Sequence, residues 1–261
     1  MRTLPFALMA ISTTSVQAAE CHNFGNTHTQ SGAAGMAIAE LYTAEGCDSC
    51  PPADKWFSSL SARKGNAVPL AFHVDYWDGG GWKDRFAKPQ FTRRQQESVV
   101  RLGSRTVVTP QLFVNGKTMS TSGDDKRGSL QSRFNKRTAD IASITPKAAL
   151  VLDTVAEEDT LTASLSTQLA DGNSPAVEAW LAVTENNLAS RVTAGENSGV
   201  TLYHDHVVRE LVGPLKIAGP VVHKIVVDKA WKRQDLTLVA FAQDRLTGEV
   251  LQAVSTGACA K

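Results

Sequence analysis

The chain has 261 residues, enough for one large domain or two ordinary ones, and 42% of them are hydrophobic against 20% charged, so it can fill a core. Lys and Arg total 27 and Asp and Glu 26, and this near-balance argues against a dedicated nucleic-acid binder. The one long apolar run lies at the N-terminus, which excludes a polytopic membrane protein.

The N-terminal segment, residues 1–19, has the pattern of a signal peptide. Arg2 supplies the positive start, residues 4–11 the apolar middle, and Val16-Gln17-Ala18 a small-residue cleavage site. The apolar run is too short to span a bilayer, so we expect no transmembrane segment after cleavage. The sequence therefore predicts a periplasmic or secreted protein.

Four cysteines follow this segment, and an oxidising compartment permits them to form disulfides. Four cysteines allow three pairings. We favour Cys47 with Cys50, and a structural disulfide between Cys21 and Cys259 that clasps the two ends of the mature chain. The alternative for the second pair is two free thiols.

Residues 20–35 are polar and Gly-rich, which indicates a loose lead-in to the first strand. From Ala37 to Ile141 the apolar pattern predicts elements in the order β-α-β-α-β-β-α. The strands are residues 37–43, 68–74, 111–114 and 117–120, and the helices begin at Pro51, at Pro89 and at Asp124 or Asp125. This order predicts an α/β thioredoxin-like domain over residues 20–145.

Helical spacing disappears after Pro146, where alternating apolar and polar residues take over. Short strand-like segments recur there, separated by turn clusters such as Asp171-Gly172-Asn173. Residues 146–261 are therefore predicted to be a C-terminal all-β domain of the sandwich type.

A C-x-x-C pair lies where the first predicted strand meets the first predicted helix. There the helix N-terminus stabilises a thiolate, so Cys47 is predicted to face solvent and attack a partner disulfide, and Cys50 to resolve the mixed disulfide. The intervening Asp48 and Ser49 are predicted to contact substrate or tune the thiolate, and the Asp48 carboxylate would do so because a like charge raises the pKa of a thiol.

The Thr109-Pro110 bond precedes the predicted hairpin strand. In a thioredoxin fold this bond is cis and lies against the active disulfide, and Thr109 offers its backbone to an extended substrate segment. The alternative is an ordinary trans proline in a loop.

Polar and aromatic residues follow the second predicted strand. His73 and Asp75 share one side of that strand, so His73 is interpreted as a proton shuttle, a metal ligand, or a structural histidine bonded to Asp75. Tyr76, Trp77 and Trp82 form either a substrate rim or a loop folded onto its own aromatics. The two imidazoles of His204-Asp205-His206 do not make a closed metal site, and no metal site is predicted.

Several longer segments carry a family resemblance. They are the stretches 41–54, His73-Val74-Asp75-Tyr76-Trp77-Asp78, Gly81-Trp82-Lys83-Asp84, Thr109-Pro110-Gln111, Val114-Asn115-Gly116 and Gly195-Glu196-Asn197. Together they resemble the domain of unknown function 1223 family, exported bacterial thioredoxin-like proteins. The resemblance implies a thioredoxin-like domain with a C-terminal β domain and supplies no reaction.

The sequence thus predicts an exported thiol–disulfide oxidoreductase that acts on cysteine-containing proteins of the periplasm without an organic cofactor. One alternative is a copper-handling protein that binds Cu(I) through Cys47, Cys50 and His73, because thiolates suit this soft cation. The other is a binding module in which the Cys47–Cys50 bridge stays permanently closed.

Overall fold

The computed structural model describes residues 25–60, 65–122, 128–172 and 174–256. The predicted signal peptide, the predicted Cys21–Cys259 disulfide, and Asp124 and Asp125 lie outside these ranges. None of the helices within them is long and apolar enough to cross a membrane.

The elements of the first half follow the predicted order, preceded by a strand in the segment expected to be a loose lead-in. They are β1 (Thr27–Gln30), β2 (Ala37–Thr43), α1 (Pro51–Ser58), β3 (Ala67–His73), α2 (Pro89–Arg101), β4 (Gln111–Val114), β5 (Lys117–Met119) and α3 (Leu130–Ala142). Strands β2 and β3 are buried along their whole length, as near-continuous apolar runs indicate. A proline opens α1 and α2, where its missing N–H costs no hydrogen bond, and the Ser129 hydroxyl caps α3.

The regular elements in the described part of the second half are strands, apart from a single 3-10 turn. The strands are β6 (Ala148–Ala156), β7 (Thr160–Leu169), β8 (Val177–Glu185), β9 (Leu188–Arg191), β10 (Thr201–His204), β11 (Val207–Lys216), β12 (Val221–Val226), β13 (Leu236–Asp244) and β14 (Val250–Ser255).

The main sheet combines strands from both halves of the chain. Its 8 strands lie in the order β14-β13-β8-β11-β3-β2-β4-β5. The junction is at β3, whose Ala71 pairs in parallel with Val207 of β11 and donates its backbone N–H to the His206 carbonyl at 2.8 Å. A second sheet has the order β1-β6-β7-β12, and β9 and β10 form a separate hairpin.

The predicted fold class is therefore wrong. The structure is 42% strand and 18% helix, and large multi-strand sheets replace the thioredoxin-like α/β core followed by a separate sandwich. The loop at residue 145 separates α3 from β6, yet both sheets contain strands from each side of it. The reason is that β11 occupies the edge of β3, so the sheet continues into the second half instead of ending there.

Two apolar clusters hold these layers together. One spans the chain from Tyr42 and Phe72 to Trp180 and Phe241, and it includes both cysteines of the C-x-x-C pair. The other fills the space between the second sheet and the C-terminal strands of the main sheet. The surroundings of the cysteine pair are thus built by both halves.

Gly116 in the β4–β5 turn is expected to be irreplaceable by alanine. Its φ is +75°, and a Cβ there would lie 2.1 Å from the Gly248 carbonyl oxygen. Gly116→Ala should lower the free energy of unfolding by more than the roughly 1–2 kcal/mol that a left-handed backbone costs alone. Gly103→Ala is the matched control, since Gly103 has φ +72° and open space around its Cβ position. Equal losses in urea unfolding of the two variants would contradict the steric argument.

Candidate functional site

The Cys47–Cys50 disulfide lies in the loop between β2 and α1, with a Cα–Cα distance of 5.5 Å. Cys50 is the N-cap of α1, and its carbonyl accepts the backbone N–H groups of Ala53 and Asp54 at 2.9 and 3.1 Å. The Ser49 hydroxyl lies 3.4 Å from the Cys47 sulfur. The predicted pairing and its position at the amino end of a helix are both present.

The two cysteines are nevertheless buried, with 0% of Cys47 and 1% of Cys50 exposed. The prediction that Cys47 faces solvent is wrong, although Asp48 and Ser49 between the cysteines are exposed. The disulfide therefore lies just below the surface.

A segment of the second half, residues 195–197, lies against the cysteine loop and is called the cover segment below. The Asn197 amide donates to the carbonyl oxygens of Glu45 and Cys47, both at 2.9 Å. Glu196 accepts the backbone N–H of Asp48 at 3.3 Å. A local pattern could not predict this contact between residues about 150 positions apart.

The Thr109–Pro110 peptide bond is cis, as predicted. The antiparallel pairing of Tyr42 with Gln111 places Pro110 one step further, opposite the last residue of β2. The Trp77 indole donates to the Thr109 hydroxyl at 2.7 Å, and the Trp77 backbone also adjoins Gly46. Thr109 and the cysteine loop are therefore joined through Trp77.

A cluster of buried titratable side chains lies behind the cysteine loop. His73 Nδ1 is 2.6 Å from Asp84 Oδ2, and His204 Nε2 is 3.2 Å from Glu45 Oε1. The rings of His73 and His204 are 4.9 Å apart and perpendicular. The alternative in which His73 bonds to Asp75 is wrong, because β3 ends at His73 and Asp75 instead accepts a hydrogen bond from the Thr92 hydroxyl.

Burial and charge act against each other in this cluster. Burial alone would lower the pKa of His73, but the Asp84 carboxylate raises it above its ordinary value by attraction and hydrogen bonding. Burial opposes the charge of Asp84 as well, yet His73 and two backbone N–H groups hold the pKa of Asp84 below its ordinary value. Burial raises the pKa of Asp54 on α1. His73 and Asp84 thus form a buried hydrogen-bonded pair in which each group favours the charged form of the other.

Metal binding finds no geometric support in residues 25–60, 65–122, 128–172 and 174–256. No three His, Cys, Asp or Glu side chains there are placed to hold an ion. His204 and His206 are separated by a turn in which His206 has φ +59° and contacts the Leu60 carbonyl. Copper binding stays a prediction.

The aromatic residues after β3 line a pocket of about 280 Å³ beside the cysteine loop. Its lining consists of Tyr76, Trp77, Trp82, Glu196 and the glycines Gly46, Gly79, Gly80 and Gly195. The sequence left open a substrate rim or a loop folded onto its own aromatics, and neither interpretation included the cover segment. Glu196, Asn197 and Asp84 all stand in the segments that carried the family resemblance, and that was the one signal able to find them.

Comparisons with known proteins place the chain in a family whose activity is undefined. The model of a protein family of unknown function, DUF1223, matches residues 38–243. The solved structure of protein AGR_C_4864 from Agrobacterium tumefaciens is similar, with 21% identity, a TM-score of 0.61, and 87% of this chain and 96% of that chain covered. HBP35 of Porphyromonas gingivalis is similar at 18% identity and a TM-score of 0.62, with 86% and 76% covered. At these identities the likeness concerns the fold alone. No curated protein matches the chain.

Proposed function

This chain belongs to the DUF1223 family, whose function is unknown, and from that premise we propose that Cys47 and Cys50 form a thiol–disulfide exchange couple. Its partners are cysteine-containing proteins of the periplasm or the exterior, in keeping with the signal-peptide pattern of residues 1–19. Exchange requires the cover segment to move. The observation that carries the proposal is a short-span disulfide at the amino end of a helix, under one segment held by polar contacts.

The short span of the bridge favours a chemical role over a structural one. In the chain-entropy model, a bridge between residues 3 apart stabilises the fold by about 2 kcal/mol, against about 5 kcal/mol for one that closes a loop of 100 residues or more. A purely structural disulfide would stabilise this fold more if it joined distant segments. The neighbouring elements are already joined by β2–β3 and β2–β4 pairing.

Exchange with a partner disulfide starts from the reduced protein, in which Cys47 and Cys50 are thiols. The Cys47 thiolate attacks one sulfur of a partner disulfide, so a Cys47–partner bond forms and the partner's other sulfur leaves as a thiolate. The Cys50 thiolate then attacks Cys47, releases the second partner thiol and leaves the Cys47–Cys50 bridge. The partner gains two electrons and the couple loses them. The reverse sequence oxidises a partner dithiol.

The cover segment and the nearby polar residues have assigned roles in this proposal. Displacing Asn197 breaks its two hydrogen bonds to the loop carbonyls and uncovers Cys47. The exposed Asp48 and Ser49 meet the partner first, while Thr109 and Pro110 shape the groove at the end of β4. His73 acts through its neighbours, because Asp84 holds its ring and also accepts the Glu45 backbone N–H at 2.9 Å.

Asn197→Ala is expected to accelerate reduction of the Cys47–Cys50 bridge by dithiothreitol by about tenfold or more, because two hydrogen bonds of about 1 kcal/mol each are lost from the closed state. The rate is followed by trapping free thiols with an alkylating reagent and measuring the mass of the intact protein by mass spectrometry. Asn135→Ala on the exposed face of α3 is the matched control and should keep the wild-type rate. Equal rates in all three proteins would show that the cover segment does not limit access.

Catalysis itself is tested by disulfide reduction in insulin, with wild type against Cys47→Ser. We expect activity only with Cys47 present, and a mixed disulfide that accumulates in Cys50→Ser. Equal activity of wild type and Cys47→Ser would refute exchange. A reduction potential below about −300 mV with no trapped partner would favour the permanently closed bridge.

A further inference from the structure

The aromatic pocket beside the cysteine loop has a chemistry of its own. Tyr76, Trp77 and Trp82 supply its ring surfaces, and its four glycines bring no side chain into it. Two chain segments distant in sequence meet there, since a Cβ added to Gly195 would lie 3.6 Å from the Trp82 Cβ. The pocket is thus formed by the tertiary structure and not by the loop alone.

The polar ends of the three aromatic side chains are all bonded to residues outside the lining. Tyr76 Oη donates to Gln95 at 3.2 Å, Trp77 Nε1 to Thr109 at 2.7 Å, and Trp82 Nε1 to Glu45 at 2.8 Å. These bonds fix the rings and leave mainly carbon surface to the interior. A ligand there meets ring faces or edges and few side-chain hydrogen-bonding groups.

The electrostatic field at the pocket favours a cation. Glu196 is the one charged side chain among the lining residues of this pocket. The Glu45 carboxylate accepts the indole N–H at the edge of the Trp82 ring, and Asp78 precedes the pocket glycines. The nearby Lys83 is exposed and interacts with Asp78. Aromatic rings attract cations through their quadrupole, most strongly where the cation is desolvated.

From these contacts we infer that the pocket formed by Tyr76, Trp77, Trp82 and Glu196 binds a quaternary ammonium group. A primary ammonium would lose hydration that a single carboxylate replaces poorly, whereas a quaternary one donates no hydrogen bond and fits ring surfaces. The group is carried either by a small choline-type solute or by a trimethylated lysine side chain. The lining contains no cysteine but includes Gly195 and Glu196 of the cover segment, so binding is measured in the oxidised protein, where its failure would not bear on the exchange reaction.

The test is titration of the full chain with choline, followed by tryptophan fluorescence and calorimetry. The neutral isostere 3,3-dimethylbutanol should bind at least about tenfold more weakly, because it keeps the shape of choline and loses its charge. Nα-acetyl-trimethyllysine amide, compared with its unmethylated form, distinguishes a side-chain source from a free solute. No saturable binding of either quaternary compound, or equal binding of choline and the isostere, would overturn the inference.

Two variants, each with a matched control, locate the binding. Trp82→Leu should abolish it, while Trp56→Leu, which changes a tryptophan on α1 outside the pocket, should keep it. Glu196→Gln alters an exposed residue and should weaken choline binding about three- to tenfold, whereas Glu97→Gln on α2 should leave it unchanged. Unchanged affinity in Trp82→Leu or in Glu196→Gln would place the ligand elsewhere.

Discussion

Arg94→Met is expected to lower the free energy of unfolding by about 3–5 kcal/mol, because it leaves the Glu40 carboxylate buried without its partner. Arg94 on α2 and Glu40 on β2 have only 3% and 4% of their side chains exposed. Arg94 Nε donates to Glu40 at 2.9 Å, and Nη2 donates to Gln243 on β13 at 3.1 Å. One guanidinium thus joins the first half of the chain to the second.

The matched control for this prediction is the double variant Glu40→Gln, Arg94→Met. The double variant removes both charges. It should therefore be more stable than Arg94→Met alone, even though it carries one more substitution. Urea unfolding followed by circular dichroism measures all three proteins. The account fails if Arg94→Met stays within about 1 kcal/mol of wild type, the range of exposed ion pairs.

Asp84→Ala is expected to have a comparable effect, about 3–5 kcal/mol, because it removes the acceptor of three buried donors. Those donors are His73 Nδ1 at 2.6 Å and the backbone N–H groups of Glu45 and Phe86, both at 2.9 Å. Asp153→Ala is the control: Asp153 pairs with His28 at 2.5 Å, but those side chains are 49% and 70% exposed. That variant should lose under about 1 kcal/mol, and equal losses in the two variants would contradict the role of burial.

The His73–Asp84 pair also predicts a pH dependence of stability. The pKa of His73 is raised from 6.5 in the folded state, so its contribution is present below pH 6.5 and is lost as pH rises through the folded value. The pKa of Asp84 is lowered from 3.8, so its contribution is present above pH 3.8 and is lost as pH falls through the folded value.

Wild type should therefore be stabilised most by this pair between pH 3.8 and 6.5 and lose stability on the alkaline side. Burial raises the pKa of Asp54, so Asp54 adds a further loss of stability as pH rises, in wild type and in Asp84→Ala alike. Unfolding free energies from pH 4 to 9 measure the profile, and the decline above pH 6.5 should be smaller in Asp84→Ala. Parallel profiles of wild type and variant would show that the pair does not titrate as inferred.

Local patterns predicted most of the elements in the first half. Burial of an apolar run gave β2, and prolines at helix starts gave α1 and α2. Each of these features depends on residues within a few positions of one another, where propensity and hydrophobic period act directly. The polar segment before β2 is the exception, since β1 forms there by pairing with β6.

The sequence did not predict the contacts between segments that are far apart along the chain. Nothing in β3 itself indicates that Val207 will pair with Ala71, and this contact made the predicted fold class wrong. The sequence likewise did not predict that the Asn197 amide reaches the Cys47 carbonyl from 150 positions away. His73 likewise pairs with Asp84 from the loop that follows, and not with the nearer Asp75.

The sequence alone determined which residues form the candidate site: a cysteine pair before a helix, a proline before a hairpin strand, and aromatics after a buried strand. The tertiary structure decided which of these atoms solvent and partners can reach. Accessibility depends on which segments pack against a site, and residues 195–197, which contact the cysteine loop, come from the second half of the chain. A pattern read along a few residues carries no information about those contacts, because they form only when distant segments pair and bury their apolar faces together.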